Sequence, residues 1–197
     1  FRKIVSTKYI NIPYEGRPYD RALKNKNKIL WEVEGGNGIK TGYTQAAGRC
    51  LASAAERDGM QVVCIVLNCP DMFPDSAVLL NNAFKEYSMQ RLIEKDMVYA
   101  EVGVLDSRTE KLELYAEEDF DFPIKIDGSD IIDIQYSVPE SVTAPIKEGE
   151  PIGSIKVIVE GEEEHEIRLL AGENVEENTF RSNLLKIIRQ FFGGNKY

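Results

Sequence analysis

The chain has 197 residues and little of the chemistry that builds metal or thiol sites. Its one histidine, His165, has no cysteine or second histidine near it, which excludes the paired spacings of zinc sites. Lying in Glu162-Glu163-Glu164-His165-Glu166, it reads as a hairpin residue beside solvated acids, neither ligand nor catalytic base. Cys50, Cys64 and Cys69 are an odd number at no metal-binding spacing, so a disulfide framework is not expected. Cys50 and Cys64 stand inside apolar runs, where cysteine behaves as a small buried hydrophobe. No metal or organic cofactor is implied. No apolar run is long enough to span a membrane. Basic residues are in deficit, 24 Lys and Arg against 33 Asp and Glu, a net charge of −9. A nucleic-acid interface needs a basic face and is not expected. Phe1-Arg2-Lys3 carries no initiator Met, signal peptide or transit pattern, so the sequence is expected to begin within a domain or after a processing event.

What is present is the composition of a globular protein, 43% hydrophobic and 29% charged, with room for one large domain or two small ones. Residues 9–14 read as a strand ended by Pro13. Glu34-Gly35-Gly36-Asn37-Gly38 is a glycine-rich turn, followed by extended residues 39–43 and a second apolar run over 49–55. Asp58-Gly59 marks a hairpin turn. The β-branched run 60–67 is expected to be a fully buried strand, giving an antiparallel sheet. Pro74-Asp75 is expected to open a helix whose packing face is Val78, Leu79, Ala83, Phe84 and Tyr87. From about residue 97 to 171 short alternating strands dominate, over 98–104, 111–115, 131–137, 152–159 and 165–170. The fold class expected is therefore an α/β segment over 1–91, a small all-β sandwich-like domain over 97–177 and an amphipathic helix in 178–197. In that tail Phe180, Leu184, Ile187, Ile188 and Phe191 share one face, with Arg181, Lys186 and Arg189 on the rest and no acid. A wholly basic polar face opposite bulky apolar residues fits an anionic membrane surface, so residues 179–192 are the expected membrane contact.

The most informative run is Gly38-Ile39-Lys40-Thr41-Gly42-Tyr43-Thr44. Lys40 brings a cation and Thr41 a hydroxyl, both suited to holding a carboxylate by charge-assisted hydrogen bonds. Gly42 has no side chain, so a peptide-like ligand has room to lie along the strand. Lys40 is weighed against an ordinary surface lysine, and the flanking string favours a site. Lys26, among Lys24 and Lys28, is equally readable as a solvated edge lysine. Trp31 reads as core.

With Asn25-Lys26-Asn27-Lys28-Ile29-Leu30-Trp31 upstream and Ala46-Ala47-Gly48 downstream, the run resembles the Lys-Thr-Gly part of low-molecular-weight penicillin-binding proteins, the serine-type D-alanyl-D-alanine carboxypeptidases. Ala144-Pro145-Ile146-Lys147-Glu148-Gly149-Glu150-Pro151-Ile152-Gly153 is similar to the family's membrane-proximal β domain. The resemblance implies that Lys40 and Thr41 bind the terminal D-Ala carboxylate of peptidoglycan pentapeptide stems, or that of a β-lactam. It implies that the Tyr43 backbone N–H is one of two oxyanion-hole donors, and that Lys26 stands at a basic position supporting the carboxylate. Lysine lacks the bidentate fork of the arginine that several members carry there. Asn37, where many relatives have Asp, suggests an altered turn.

The resemblance also implies a site on the extracytoplasmic side, peripheral on a bacterial cell membrane. One departure is decisive. No serine has lysine three residues on, and no Ser-x-Asn is present, so the nucleophile is absent from the chain. The expectation is the C-terminal portion of a longer carboxypeptidase, inactive alone, whose sheet exposes an apolar face where the missing N-terminal segment belongs. The alternative is a non-catalytic envelope scaffold that keeps the strand only as structure. A β-lactamase is disfavoured by the appended β domain and tail.

Overall fold

The structure, a computed structural model, describes residues 1–178. The expected amphipathic helix, residues 179–192, lies outside the described residues. The elements in order are α1 (Arg2–Val5), β1 (Tyr9–Ile12), β2 (Arg21–Lys24), α2 (Ile29–Glu32), β3 (Gly36–Thr44), β4 (Gly48–Arg57), β5 (Met60–Val66) and α3 (Met72–Glu86). They are followed by β6 (Tyr87–Ile93), β7 (Val98–Leu105), β8 (Lys111–Ala116), β9 (Phe120–Lys125), β10 (Ile132–Ser137), β11 (Ser141–Thr143), β12 (Pro151–Val159) and β13 (Glu162–Ala171). The described residues divide into two compact units, Phe1–Gln90 with Pro123–Ser129, and Arg91–Phe122 with residues 130–178.

In the first unit, β3, β4 and β5 form an antiparallel sheet in that order. Asp58 and Gly59, at φ 47° and 81°, make the tight turn between β4 and β5, as the Asp-Gly pair implies. The pleat sends alternate residues to opposite faces. On one face Leu51 and Ala55 of β4 pack with Leu80 of α3 and with Ile29 and Val33, and Val62, Cys64 and Val66 of β5 close around them. The other face carries Ala52 and Ala54 of β4, opposite Ile65 and Val63 of β5.

Two expectations need correction here. β5 is not fully buried: Val63 is 55% and Ile65 66% exposed. The reason is that β5 is a sheet edge and α3 covers only one of its faces, so a continuous apolar run looks identical in sequence whether one face or both are packed. The helix starts at Met72, with Asp71 as its N-cap and Pro74 already inside its first turn. Its packing face is Phe73, Ala77, Leu80 and Phe84, while Val78 and Leu79 are exposed.

The second unit is built on a six-stranded sheet of order β10-β12-β13-β8-β7-β11. All neighbours are antiparallel except β11, which runs parallel to β7. Inward-facing Val102, Leu112, Leu114, Ile155, Val157, Ile167 and Leu169 are essentially inaccessible and form its core. The alternation of these positions with Glu101, Lys111, Glu113 and Arg168 is the period-2 signal read from sequence. The three-residue β11 and the proline-containing β9 carry no such signal. Outward cations pair with carboxylates: Arg91 with Asp119 and Asp121 at 2.9 Å, and Lys111 with Glu101 at 2.6 Å. Arg168 grips Glu117 through two nitrogens. His165 Nε2 is hydrogen-bonded to the Glu118 carboxylate at 2.9 Å, and its ring stacks on Phe120 at 4.9 Å. It thus has a partner in a glutamate distant in sequence.

Candidate functional site

Lys40, Thr41, Gly42 and Tyr43 lie in sequence along β3, an edge strand whose one strand neighbour among the described residues is β4. Lys40 pairs in register with Ala52, Thr41 with Leu51, Gly42 with Cys50 and Tyr43 with Arg49. Lys40 and Gly42 therefore share the open face with Ala52, Val63 and Ile65, while Thr41 leaves the strand on the side of Leu51. Lys40, Gly42 and Tyr43 are exposed and Thr41 is half-buried. Lys40 Nζ donates to the Thr41 carbonyl and has no carboxylate partner among the described residues.

The glycines of β3 differ in kind. A Cβ on Gly36 would sit 2.2 Å from the Ile29 carbonyl oxygen and 2.9 Å from that of Val33, so this glycine is demanded by the crossing of the α2 backbone. A Cβ on Gly42 would meet only Cys50, at 3.9 Å, which is ordinary contact. Nothing within the fold requires Gly42 to be small.

Lys26 comes from a different element. It sits in the turn before α2, held by two asparagines whose roles the sequence reading did not assign. Asn25 Nδ2 donates to the Val5 and Thr7 carbonyls, both at 3.1 Å, and Asn25 Oδ1 accepts from the Asn27 N–H at 3.0 Å. Asn27, 3% exposed, accepts at 3.2 Å the N–H of Ile29, the first residue of α2. Asparagine bonding its own chain two residues on is a turn signal, and Asn-x-Asn carries it twice. Lys26 between them points outward and lines a cleft of about 550 Å³ with Lys24, Lys28, Trp31 and Glu32. No hydrogen bond or ion pair joins Lys26 to Lys40 or Thr41 among the described residues. Trp31, expected in the core, is 39% exposed at this cleft, because the four-residue α2 buries Ile29 and Leu30 and turns its third residue out.

The remaining sequence candidates serve structure. Asn37 bonds Gln61 at 3.0 Å, across the turn end of the sheet. Cys64 packs against the core beneath α3, and Cys50 is half-buried. The Cys69 thiol donates to Asp75 at 3.0 Å, and that bond, with desolvation and the nearby charge, raises its pKa above the ordinary thiol value. It is held as a thiol, the opposite of an activated nucleophile. No group of three or more metal-ligating side chains occurs among the described residues, nor any helix long and apolar enough to cross a membrane.

Residues 3–71 match the family described as D-alanyl-D-alanine carboxypeptidase, and residues 87–177 match the C-terminal domain of penicillin-binding protein 5. The chain is 26% identical over 163 residues to the D-alanyl-D-alanine carboxypeptidase DacF of Bacillus subtilis (strain 168), covering 80% of this chain and 42% of that protein. It is 27% identical over 178 residues to DacC of Escherichia coli (strain K12), covering 86% of this chain and 44% of that one. Penicillin-binding protein 5 from Haemophilus influenzae shares the fold with a TM-score of 0.62 at 22% identity, over 89% of this chain and 51% of that one. The chain thus spans less than half the length of these two carboxypeptidases.

Proposed function

This chain belongs to the low-molecular-weight penicillin-binding proteins, bacterial proteins of peptidoglycan metabolism, and from that premise we propose that it supplies the substrate-binding strand, and not the nucleophile, of a serine-type D-alanyl-D-alanine carboxypeptidase. Residues 1–91 are its share of the catalytic domain, and 97–177 its β-rich domain. Lys40 and Thr41 hold the terminal D-Ala carboxylate of a peptidoglycan stem, or the carboxylate of a β-lactam, at the free edge of β3. The ligand backbone runs beside Gly42 as an added strand, and Lys26 supplements the positive field. The Tyr43 N–H donates to the carbonyl oxygen as it becomes an oxyanion, a contact worth about 3 kcal/mol of barrier. The hydroxyl of a serine from outside these 197 residues attacks that carbonyl, D-Ala leaves as the amine, and water hydrolyses the resulting ester. The work takes place on the extracytoplasmic side of a bacterial membrane, with residues 179–192 as the surface contact.

The observation that carries this reading is the edge position of β3, with Lys40, Gly42 and Tyr43 exposed along it. The open face of Val63 and Ile65 supports docking of the polypeptide that bears the serine. The test is acylation by a fluorescent, carboxylate-bearing penicillin. The chain alone should not label. Co-expressed with a polypeptide carrying Ser-x-x-Lys and Ser-x-Asn it should, and Lys40→Ala should slow labelling at least about 100-fold. Labelling of the lone chain, or an unchanged rate in Lys40→Ala, would refute the proposal, the second outcome favouring a scaffold.

A further inference from the structure

The six-stranded sheet of the second unit ends on one side in β11, a strand of three residues, and on the other in β10. Edge strands are commonly kept from pairing by brevity, proline, lysine or a bulge. β10 has none of these. It runs Ile132-Asp133-Ile134-Gln135-Tyr136-Ser137 in unbroken register against β12, and Asp133 is its one charge. Ile132 is 37% and Tyr136 52% exposed, although they stand opposite buried Val159 and Ile155 of β12. The apolar layer of the core thus continues onto an open edge strand. The backbone of that edge is free in a defined pattern. The Glu160 N–H donates to the Ile131 carbonyl at 2.9 Å, so residues 131, 133 and 135 turn their peptide groups toward β12. By the same alternation Ile132, Ile134 and Tyr136 direct their N–H and C=O groups away from the sheet, where no described strand receives them.

The sequence of β10 fits a second copy of itself. Two copies laid antiparallel about Ile134 pair Ile134 with Ile134 and Ile132 with Tyr136, and the three pairs exchange about six hydrogen bonds. Apolar side chains then meet apolar side chains on the core side of the sheet. On the other side Asp133 of each copy stands opposite Gln135 of the other. Gln135 Nε2 donates to Asp133 Oδ2 of its own strand at 2.8 Å, and the amide carries a second hydrogen that the opposing carboxylate accepts. Two carboxylates and two amides close a ring in which each acid meets a donor. Centring the pair on Asp133 instead sets like charges face to face and is disfavoured. An unrelated strand matches the backbone but not this order of donor and acceptor, and that complementarity singles out a second copy.

We propose that β10 is a homotypic contact, through which two chains join into one continuous sheet about a two-fold axis at Ile134. A strand pair about 20 Å long buries less than the roughly 1,200 Å² of stable interfaces. The dimer is therefore weak and forms where the chain is concentrated. The contact uses no residue of the acyl-transfer strand β3, so it stands or falls apart from the carboxypeptidase reading.

Cysteine pairing on the full chain reads the register. Asp133 and the opposing Gln135 form a non-hydrogen-bonded pair with Cα atoms about 4.5 Å apart, within reach of a disulfide. Under mild oxidation a mixture of Asp133→Cys and Gln135→Cys chains should give a covalent dimer, mapped by peptide mass spectrometry to a 133–135 link. Each variant alone, and the parent with its free Cys50, Cys64 and Cys69, should give at least about tenfold less. In sedimentation the parent dimer should grow with concentration. Gln135→Glu, an isosteric change at an exposed site, sets carboxylate against carboxylate twice and should weaken association at least about tenfold. If Gln135→Glu misfolds, Ile132→Lys with Tyr136→Lys, which opposes lysine to lysine, should do the same. The amides of Ile132, Ile134 and Tyr136 should gain protection from hydrogen exchange as concentration rises. Full protection at high dilution would mean that residues 179–197 or another segment of the same chain cover the edge, and overturns the proposal. So does a mixture that links no better than its components, a Gln135→Glu protein that associates as the parent does, or an unrelated extended peptide that binds the edge as tightly as a second copy.

Discussion

Gly42→Ala separates a glycine kept for a ligand from one kept for the fold. At Gly42 the added methyl meets only Cys50 at 3.9 Å, and the backbone is an ordinary strand without positive φ. Replacing glycine at such a position reduces the freedom of the unfolded chain and should stabilise by about 0.4–1 kcal/mol. For a unit of this size that raises Tm by a few degrees, on the order of 4–8 °C per kcal/mol. At Gly36 the same change drives a methyl to 2.2 Å from the Ile29 carbonyl oxygen. Backbone must move, at a cost on the order of 1–3 kcal/mol or more. The two alanines should therefore shift thermal unfolding in opposite directions. Acylation should behave in reverse of stability for Gly42→Ala. A methyl on the open face beside Lys40 displaces a ligand strand from the β3 edge and lengthens its bond to the Tyr43 N–H. Loss of one oxyanion donor alone corresponds to about 100-fold or more in rate. Differential scanning fluorimetry on the chain and penicillin labelling of the co-expressed protein give both readouts. A Gly42→Ala protein that is as stable as the parent and acylates at its rate would refute the placement of substrate along β3.

Other outcomes follow from the packing and the ion pairs. Leu80→Ala, at an inaccessible site between α3 and the sheet, should destabilise the first unit by about 3 kcal/mol in urea denaturation. Asn25→Ala strands the Val5 and Thr7 carbonyls and should cost about 1–2 kcal/mol, while increasing proteolysis of the first ten residues. The Arg168 guanidinium holds the Glu117 carboxyl below its ordinary pKa, and Arg91 does the same for Asp121. A depressed folded pKa contributes stability above the unfolded value and loses it as pH falls through the folded one. The second unit should thus weaken on acidification below the ordinary carboxylate range, and Glu117→Gln with Asp121→Asn should flatten that limb of a pH-denaturation curve.

Local chemistry made much of this molecule legible in its sequence. The Asp58-Gly59 turn, the extended Lys40 run and the alternating strands of the second unit each carry their signal within a few residues. What sequence could not give was which faces would be covered. The run 60–67 is apolar at every position that matters, yet burial depends on whether a second layer lies on it, a property of other residues. Trp31 failed for the same reason: a helix of one turn cannot bury three large side chains on one side. In the candidate site Lys40 to Tyr43 were readable because they are consecutive. The asparagines that aim Lys26 were visible as a turn signal, but their partners Val5 and Thr7 lie about 20 residues away.

Among the described residues the three-stranded sheet of the first unit has two strand edges without a strand partner and, at Val63 and Ile65, an exposed apolar patch on one face. Such a surface recruits other copies during synthesis in a crowded cell. Expressed by itself the chain should give only part of its yield as soluble protein, and a polypeptide that completes the sheet should raise the soluble fraction. Recovery of soluble protein is then a selectable trait. A library of candidate segments fused to nothing but a secretion signal could be screened for the one that completes the enzyme, with no substrate and no assay of catalysis.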